Sequence, residues 1–175
     1  WGDRSPVTLR RDRVTLTDTI ALRDARVDLS AGSILSGSFS GLVNGGVAVA
    51  GALQGEAQGT AIRVQTHDAG ALLRDAGLVD RVQGGQMEVI LRPTGARGTY
   101  EGQARVLNPL LRDAPAVAEL LSAISVVGLL EQLGTSGIPF EEVSAEFRVA
   151  PQRITLYRSS AVGASLGLSM DGVYD

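Results

Sequence analysis

Residues 142–149, EVSAEFRV, alternate polar and apolar side chains along their whole length. In an extended chain, successive side chains point to opposite sides, so Val143, Ala145, Phe147 and Val149 share one side. Acidic, hydroxyl and arginine side chains share the other. This period of two is typical of a strand in an antiparallel sheet with one dry and one wet face. The stretch therefore predicts a mainly β protein.

The same alternation recurs along the chain and predicts further strands, separated by glycine-rich joints such as Gly45-Gly46 and Gly84-Gly85. The apolar positions of these strands are Ile62 and Val64; Met87, Val89 and Leu91; and Leu166, Leu168 and Met170. With 22 glycines and 4% aromatic residues, the composition also favours many short strands and turns over a helical bundle.

Near the start of the chain, the alternation slips by one residue. Ile20 and Leu22 share a phase that is interrupted at Arg23 and Asp24, and the apolar positions then resume from Ala25. One extra residue in a strand produces this pattern, so a β-bulge or a tight bend is predicted there.

Two stretches break the strand rhythm and predict helices. Residues 68–78 begin with a capping aspartate and end at glycine. Residues 115–133 follow an Ala-Pro helix start and are apolar around most of the helix circumference. The uncharged run 120–130 is about half of the roughly 20 residues that a membrane span needs. The second helix is therefore either covered on two sides or faces something apolar.

Several functional classes find no support in the sequence. The formal net charge is −3 with interspersed charges, so no nucleic-acid partner is expected. All basic residues are arginine, cysteine is absent, and His67 is the only histidine, which leaves no usual transition-metal set. The motif Gly163–Gly167 matches the nucleophile pattern around Ser165, but no histidine follows it. We expect no enzyme, no metal and no cofactor, and His67 as a loop or helix-cap residue.

Three segments together resemble AsmA-like proteins of the YhdP type, in their C-terminal region. They are DAGALLRDAGLVDRVQGGQMEV (68–89), APAVAELLSAISVVGLLEQLGTSGIPFEEVSAEFRV (114–149) and SSAVGASLGLSMDGVYD (159–175). The matching positions are Ala114-Pro115, Ala118, Leu120-Leu121, Ser125, Gly128 to Leu130, Gly137-Ile138 and Phe140. Residues 67–175 carry the resemblance, and residues 1–66 are strand-rich without a matching motif.

The resemblance implies a segment of a larger Gram-negative envelope protein, located in the periplasm and anchored in the inner membrane by an N-terminal helix outside this sequence. It also implies a lipid carrier, in which an apolar β-groove shields phospholipid acyl chains between the inner and outer membranes. Other envelope proteins are possible partners.

We therefore expect residues 1–175 to form one α+β, mainly β segment: a curved, mostly antiparallel sheet with an open apolar groove and two or three helices. The candidate lipid-contacting residues are Met87, Val89, Leu91, Phe147, Val149, Leu166, Leu168 and Met170 on strands, and Leu121, Ile124 and Val127 on the exposed side of the helix. The alternative is a structural or scaffold domain with a closed core and no lipid, in which partner proteins dock on sheet edges.

Overall fold

The structure is a computed structural model that describes residues 6–15, 20–30, 34–123, 127–163 and 167–174, without the side chains at 116, 120, 129, 168, 170, 173 and 174. Its elements, in chain order, are β1 (Val7–Thr15), β2 (Ala21–Ser30), β3 (Ser36–Val43), β4 (Ala48–Glu56), β5 (Gly59–Thr66), α1 (Ala69–Asp75), β6 (Val82–Gln83), β7 (Gln86–Pro93), β8 (Tyr100–Leu107), β9 (Leu110–Leu111), α2 (Pro115–Ala123), α3 (Val127–Gly134), β10 (Ile138–Pro139), β11 (Glu142–Ala150), β12 (Arg153–Val162) and β13 (Gly167–Tyr174).

Ten of these strands form one antiparallel sheet in the order β1-β2-β3-β4-β5-β7-β8-β11-β12-β13. Strand neighbours follow chain order, so the sheet is a meander interrupted twice, by α1 with β6 and by the segment from β9 to β10. Those two insertions meet in a small three-stranded sheet, β10-β9-β6. The main sheet is open, because among the described residues β1 and β13 each pair on one side only. The prediction of a mainly β, antiparallel fold is confirmed.

The predicted bulge is present in β2. The register of β2 with β3 shifts between Arg23 and Arg26, and Asp24 adopts a φ of 50°. An aspartate tolerates this left-handed conformation better than most residues, because its short polar side chain can bond locally. The shift lets Leu22 and Ala25 both contribute to one buried cluster. The interruption in the alternation therefore marked a real irregularity.

Helices appear in both predicted places. Asp68 caps α1 by accepting a hydrogen bond from the Ala71 amide at 2.9 Å. Across the predicted helix 115–133, the structure describes two helices, α2 and α3, while residues 124–126 lie outside the described residues. No helix within the described ranges is both long enough and apolar enough to cross a membrane.

Hydrogen bonds to the turn between β3 and β4 hold α1 on the sheet. The Asp75 carboxylate accepts a hydrogen bond from the Val47 amide at 2.8 Å, and the Asp75 carbonyl accepts one from the Asn44 side chain at 2.6 Å. The Asn44 side-chain oxygen in turn accepts from the Ala21 amide at 2.9 Å. The end of α1 is thereby fixed against two strands, which seats its apolar side on the sheet.

The core consists of two separate clusters on the same face of the main sheet. The first joins Leu72 and Ala76 of the α1 region to Leu22, Val43 and Val49. The second lies beneath α2 and α3, where the members are Ala114, Leu121, Leu133, Ile138 and Phe140, with Val143 and Ala161 of the sheet packed against them. The helices therefore cover only part of this face.

Candidate apolar face

The pairing of the strands places the predicted apolar positions in common rows across the sheet. Leu91 pairs with Gly102, and Gly102 pairs with Phe147. Directly paired residues in an antiparallel sheet point to the same face. Leu91 and Phe147 therefore lie in one row, although they are far apart in sequence.

The neighbouring rows have the same apolar character. We call their shared surface the apolar face. It consists of four rows that lie between β4 and β12. The rows are Thr66, Met87, Val106, Val143 and Ala161; Gly51, Val64, Val89, Ala104, Ala145 and Ser159; Leu53, Ile62, Leu91, Gly102, Phe147 and Leu156; and Pro93, Tyr100, Val149 and Ile154. These rows contain no charged residue. The apolar face thus extends without a charged side chain across six strands.

Phenylalanine rings lie over glycines of the adjacent strands. A Cβ atom at Gly102 would be 2.3 Å from Cε2 of Phe147, and a Cβ atom at Gly51 would be 2.6 Å from Cζ of Phe39. Each ring therefore occupies the space in which a side chain would stand on the next strand. Because the large side chains lie across the sheet, the apolar face has low relief at these points.

The helices cover one end of the rows. Val106 is 7% exposed, and Val143 and Ala161 of the same row pack against the second core cluster. Farther along the strands, Ile154 is 42% exposed. The part of the apolar face that remains open is therefore the end that carries Leu91, Phe147 and their neighbours.

Five of the predicted contact residues lie on the apolar face, and all five are half-buried: Met87, Val89, Leu91, Phe147 and Val149. The backbone of Leu168 pairs with Ala161 and that of Met170 with Ser159, which are apolar-face positions. The structure does not describe the side chains of Leu168 and Met170. Ile124 and Leu166 lie outside the described residues altogether.

The prediction for Leu121 is wrong. This side chain is 0% exposed and belongs to the core beneath α2 and α3, so it cannot face a ligand at an exposed helix surface. An all-round apolar helix does not reveal which side it buries, and Leu121 is on the side that packs inward. Val127, by contrast, is 65% exposed.

Sequence reasoning missed β8, which lies in the middle of the apolar face. The pattern in YEGQARVL was available, because Tyr100, Gly102, Ala104 and Val106 alternate with polar residues. Glycine and alanine at alternate positions weaken a hydrophobic signal. These small residues are nevertheless the ones that leave room for the neighbouring rings.

The opposite face of the sheet is polar and carries ion pairs that cross between strands. We call it the polar face. Its ion pairs are Arg63–Glu88 (2.7 Å), Arg92–Glu56 (3.0 Å), Arg105–Glu142 (2.9 Å), Arg158–Asp171 (2.9 Å) and Arg148–Glu101. Such exposed pairs each contribute little to stability. They do identify the face that is solvated.

Three members of these pairs have shifted pKa values. Hydrogen bonds from Arg63 and then Gln65 lower the pKa of Glu88 below its usual range. The Glu142 and Glu101 carboxylates raise the pKa values of Arg105 and Arg148, respectively, first through hydrogen bonding and then through their charge. The charges on the polar face therefore stabilise one another.

A shallow concavity of about 470 Å³ lies on the polar face, not on the apolar face. A twisted sheet is saddle-shaped, so each face is concave along one diagonal. Glu88, Arg105, Arg158 and Asp171 line this concavity, and all four are already engaged in ion pairs. Glu146 also lines the concavity and forms no ion pair among the described residues, so one acidic charge remains unpaired there.

Among the residues that the structure describes, those considered for chemistry do not assemble into a reactive group. His67 is exposed in the connection between β5 and α1, which confirms the prediction of a loop position. Ser165 lies outside the described residues, and Gly167 begins a strand. Within the described part of the chain, no three histidine, cysteine or acidic side chains lie close enough to hold a metal ion.

No protein-family model matches the chain, and neither a curated protein nor a solved structure is detectably similar to it. The resemblance to AsmA-like proteins therefore stays a prediction from the sequence.

Proposed function

We propose that this domain shields phospholipid acyl chains on its apolar face, as one segment of a lipid carrier. The observation that carries the proposal is the set of uninterrupted apolar rows, which the helices cover at one end only. A soluble domain rarely leaves a contiguous apolar surface of this kind without a partner.

The relief of the surface suits an acyl chain better than a rigid ligand. At Gly102 and Gly51, phenylalanine rings of the adjacent strands occupy the space that a side chain would fill. The open rows provide no hydrogen-bonding side chain except the hydroxyls of Tyr100 and Ser159, so one position along a chain is bound about as well as the next. Such a surface favours movement of the chain along the face.

The strength of binding follows from the area that is covered. A fully buried methylene contributes about 0.8 kcal/mol. Ten methylenes half-buried on the face would contribute about 4 kcal/mol, which corresponds to a dissociation constant of about 1 mM before other terms. Weak binding per segment is compatible with transfer, whereas tight binding would trap the lipid. The resemblance to AsmA-like proteins adds the periplasm, between the inner and outer membranes, as the expected location.

Photocrosslinking with a diazirine fatty acid in mixed phospholipid vesicles tests the proposal, together with mass spectrometry of lipid extracted from gently purified protein. Val149→Arg places a charge in the open end of the apolar face. Gln103→Arg places the same side chain on the polar face of β8 and is the matched control. We expect wild type and Gln103→Arg to be labelled alike and Val149→Arg to be labelled several-fold less, with unchanged far-ultraviolet circular dichroism.

The competing function is a structural or scaffold domain in which another protein covers the apolar face. It predicts no co-purified lipid and no crosslinking to the fatty acid in wild type. Equal labelling of Val149→Arg and wild type would also count against the lipid proposal.

A further inference from the structure

Strand β1 is an open edge of the main sheet. Eight of its nine residues pair with β2 on one side, and among the described residues no strand pairs with the other side. Every residue of β1 except Val14 is exposed. An edge of this length presents a row of backbone donors and acceptors to which an extended chain can pair.

The charges of β1 and β2 are arranged differently from those in the rest of the sheet. From β4 to β13, the polar-face pairs join an arginine to an acidic residue on another strand, as in Arg148–Glu101. The register of β1 with β2 instead sets Arg10 opposite Arg26 and Arg13 opposite Arg23. Like charges directly opposite each other destabilise a strand pair.

Only part of this positive charge is neutralised within the described residues. Asp28 forms an ion pair with Arg26 at 3.2 Å and lies close enough to Arg10 for their charges to interact. Arg11, Arg13 and Arg23 form no ion pair within the described ranges. The two strands together contain five arginines and three aspartates, Asp12, Asp24 and Asp28, so a net positive charge remains that acidic residues on one more strand would neutralise.

The apolar face also reaches this edge. Val7 pairs with Leu29, and Leu9 pairs with Val27. Val7 is 53% exposed and Leu9 is 47% exposed, because no strand of the described ranges lies beyond them. A further strand with apolar residues at alternate positions would extend these rows.

We infer that β1 is the docking edge for an extended polypeptide strand whose alternate residues are apolar and whose remaining residues are acidic. Backbone pairing to the edge supplies the alignment, contacts with Val7 and Leu9 supply the apolar interaction, and the arginines select for acidic side chains. This inference does not depend on lipid binding. A nucleic acid would use the charge but neither the backbone edge nor the apolar positions.

Synthetic peptides of about ten residues, roughly the length of β1, test the inference. One alternates valine with glutamate, a second replaces glutamate by glutamine, and a third replaces it by lysine. Binding is measured by fluorescence anisotropy at low and at physiological salt, and the site is located by hydrogen exchange of the β1 amides. We expect the glutamate peptide to slow exchange in β1 and to bind at least about tenfold more tightly than the glutamine peptide, a difference that salt reduces.

Arg13→Glu reverses one charge on this edge without breaking an ion pair among the described residues. It should weaken binding of the glutamate peptide and strengthen binding of the lysine peptide. Arg97→Glu makes the same charge change at an exposed position in the β7–β8 connection and should change neither. Equal binding of the glutamate and glutamine peptides would overturn the inference, since the arginines would then only protect the edge from pairing. Unchanged exchange in β1 with every peptide would overturn it as well.

Discussion

A methyl group added at Gly102 should destabilise the protein, because the ring of Phe147 already occupies its place. The Cβ atom of Gly102→Ala would lie 2.3 Å from Cε2 and 2.5 Å from Cζ of that ring. Moving the ring corresponds to overpacking, which costs about 1–3 kcal/mol. Alanine is otherwise preferred to glycine within a strand by about 0.5–1 kcal/mol. The expected net loss in the free energy of unfolding is therefore about 1–2 kcal/mol.

A double-mutant cycle separates the steric conflict from other effects. Phe147→Ala alone removes the ring and should also destabilise the protein. In that background, Gly102→Ala has no ring to displace and should stabilise by about 0.5–1 kcal/mol. The effect of the same methyl group thus changes sign, which corresponds to a coupling energy of about 1.5–3 kcal/mol between the two positions.

The assay is urea denaturation followed by circular dichroism, with Gly128→Ala as the matched control. A Cβ atom at Gly128, in α3, meets nothing within 4 Å, so that substitution should be neutral or stabilising by up to about 1 kcal/mol. If Gly102→Ala were as stable as wild type, or equally destabilising with and without the Phe147 ring, the low relief of the apolar face would not arise from this contact.

Three further predictions concern the core, the attachment of α1 and the polar face. Leu121→Ala should lower the free energy of unfolding by about 2–5 kcal/mol, because the Leu121 side chain is 0% exposed. Val127 is 65% exposed, so Val127→Ala should change the free energy of unfolding by no more than about 0.5 kcal/mol in the same urea titration. Asp75→Ala removes the carboxylate that accepts a hydrogen bond from the Val47 amide in the turn. The loss should lower the free energy of unfolding by about 1–3 kcal/mol and make hydrogen exchange in α1 faster. Unchanged exchange in α1 would contradict the anchoring role. The pKa of Glu88 is lowered from 4.5, chiefly by its hydrogen bond from Arg63, so the ionised carboxylate contributes stability above pH 4.5 that is lost as pH falls through its folded-state pKa. Glu88→Gln should therefore destabilise the protein at neutral pH, whereas in acid its urea midpoint should approach that of wild type. If the two proteins differed in urea midpoint by the same amount at neutral and at acidic pH, this prediction would be refuted.

About half of the strands in the main sheet could be predicted from local patterns. Period-two alternation in EVSAEFRV and in the stretch around Val89 is a property of the chain itself, because consecutive side chains of a strand must point to opposite faces. The same reasoning located the β2 bulge from the interruption at Arg23 and Asp24. The capping aspartate and the proline start likewise predicted where helices begin.

The burial of the helices could not be predicted in the same way. Leu121 and Val127 are both apolar residues of one apolar stretch, yet one is fully buried and the other is largely exposed. Their difference depends on where Ile138, Phe140 and Val143 are brought by the small sheet and β11. Helical periodicity shows that a side is apolar but contains no information about which neighbour covers it.

The amino-acid sequence by itself determined that each strand has one apolar and one polar side, since that follows from side-chain identity and backbone geometry alone. Only the tertiary structure decided that these sides join into one face, with Leu91, Gly102 and Phe147 in a single row. It also decided that the helices cover one end of that face and that β1, among the described residues, has a neighbouring strand on one side only. The physical reason is that register and strand order arise from long-range pairing, in which a shift of one residue would turn every apolar side chain of a strand to the other face.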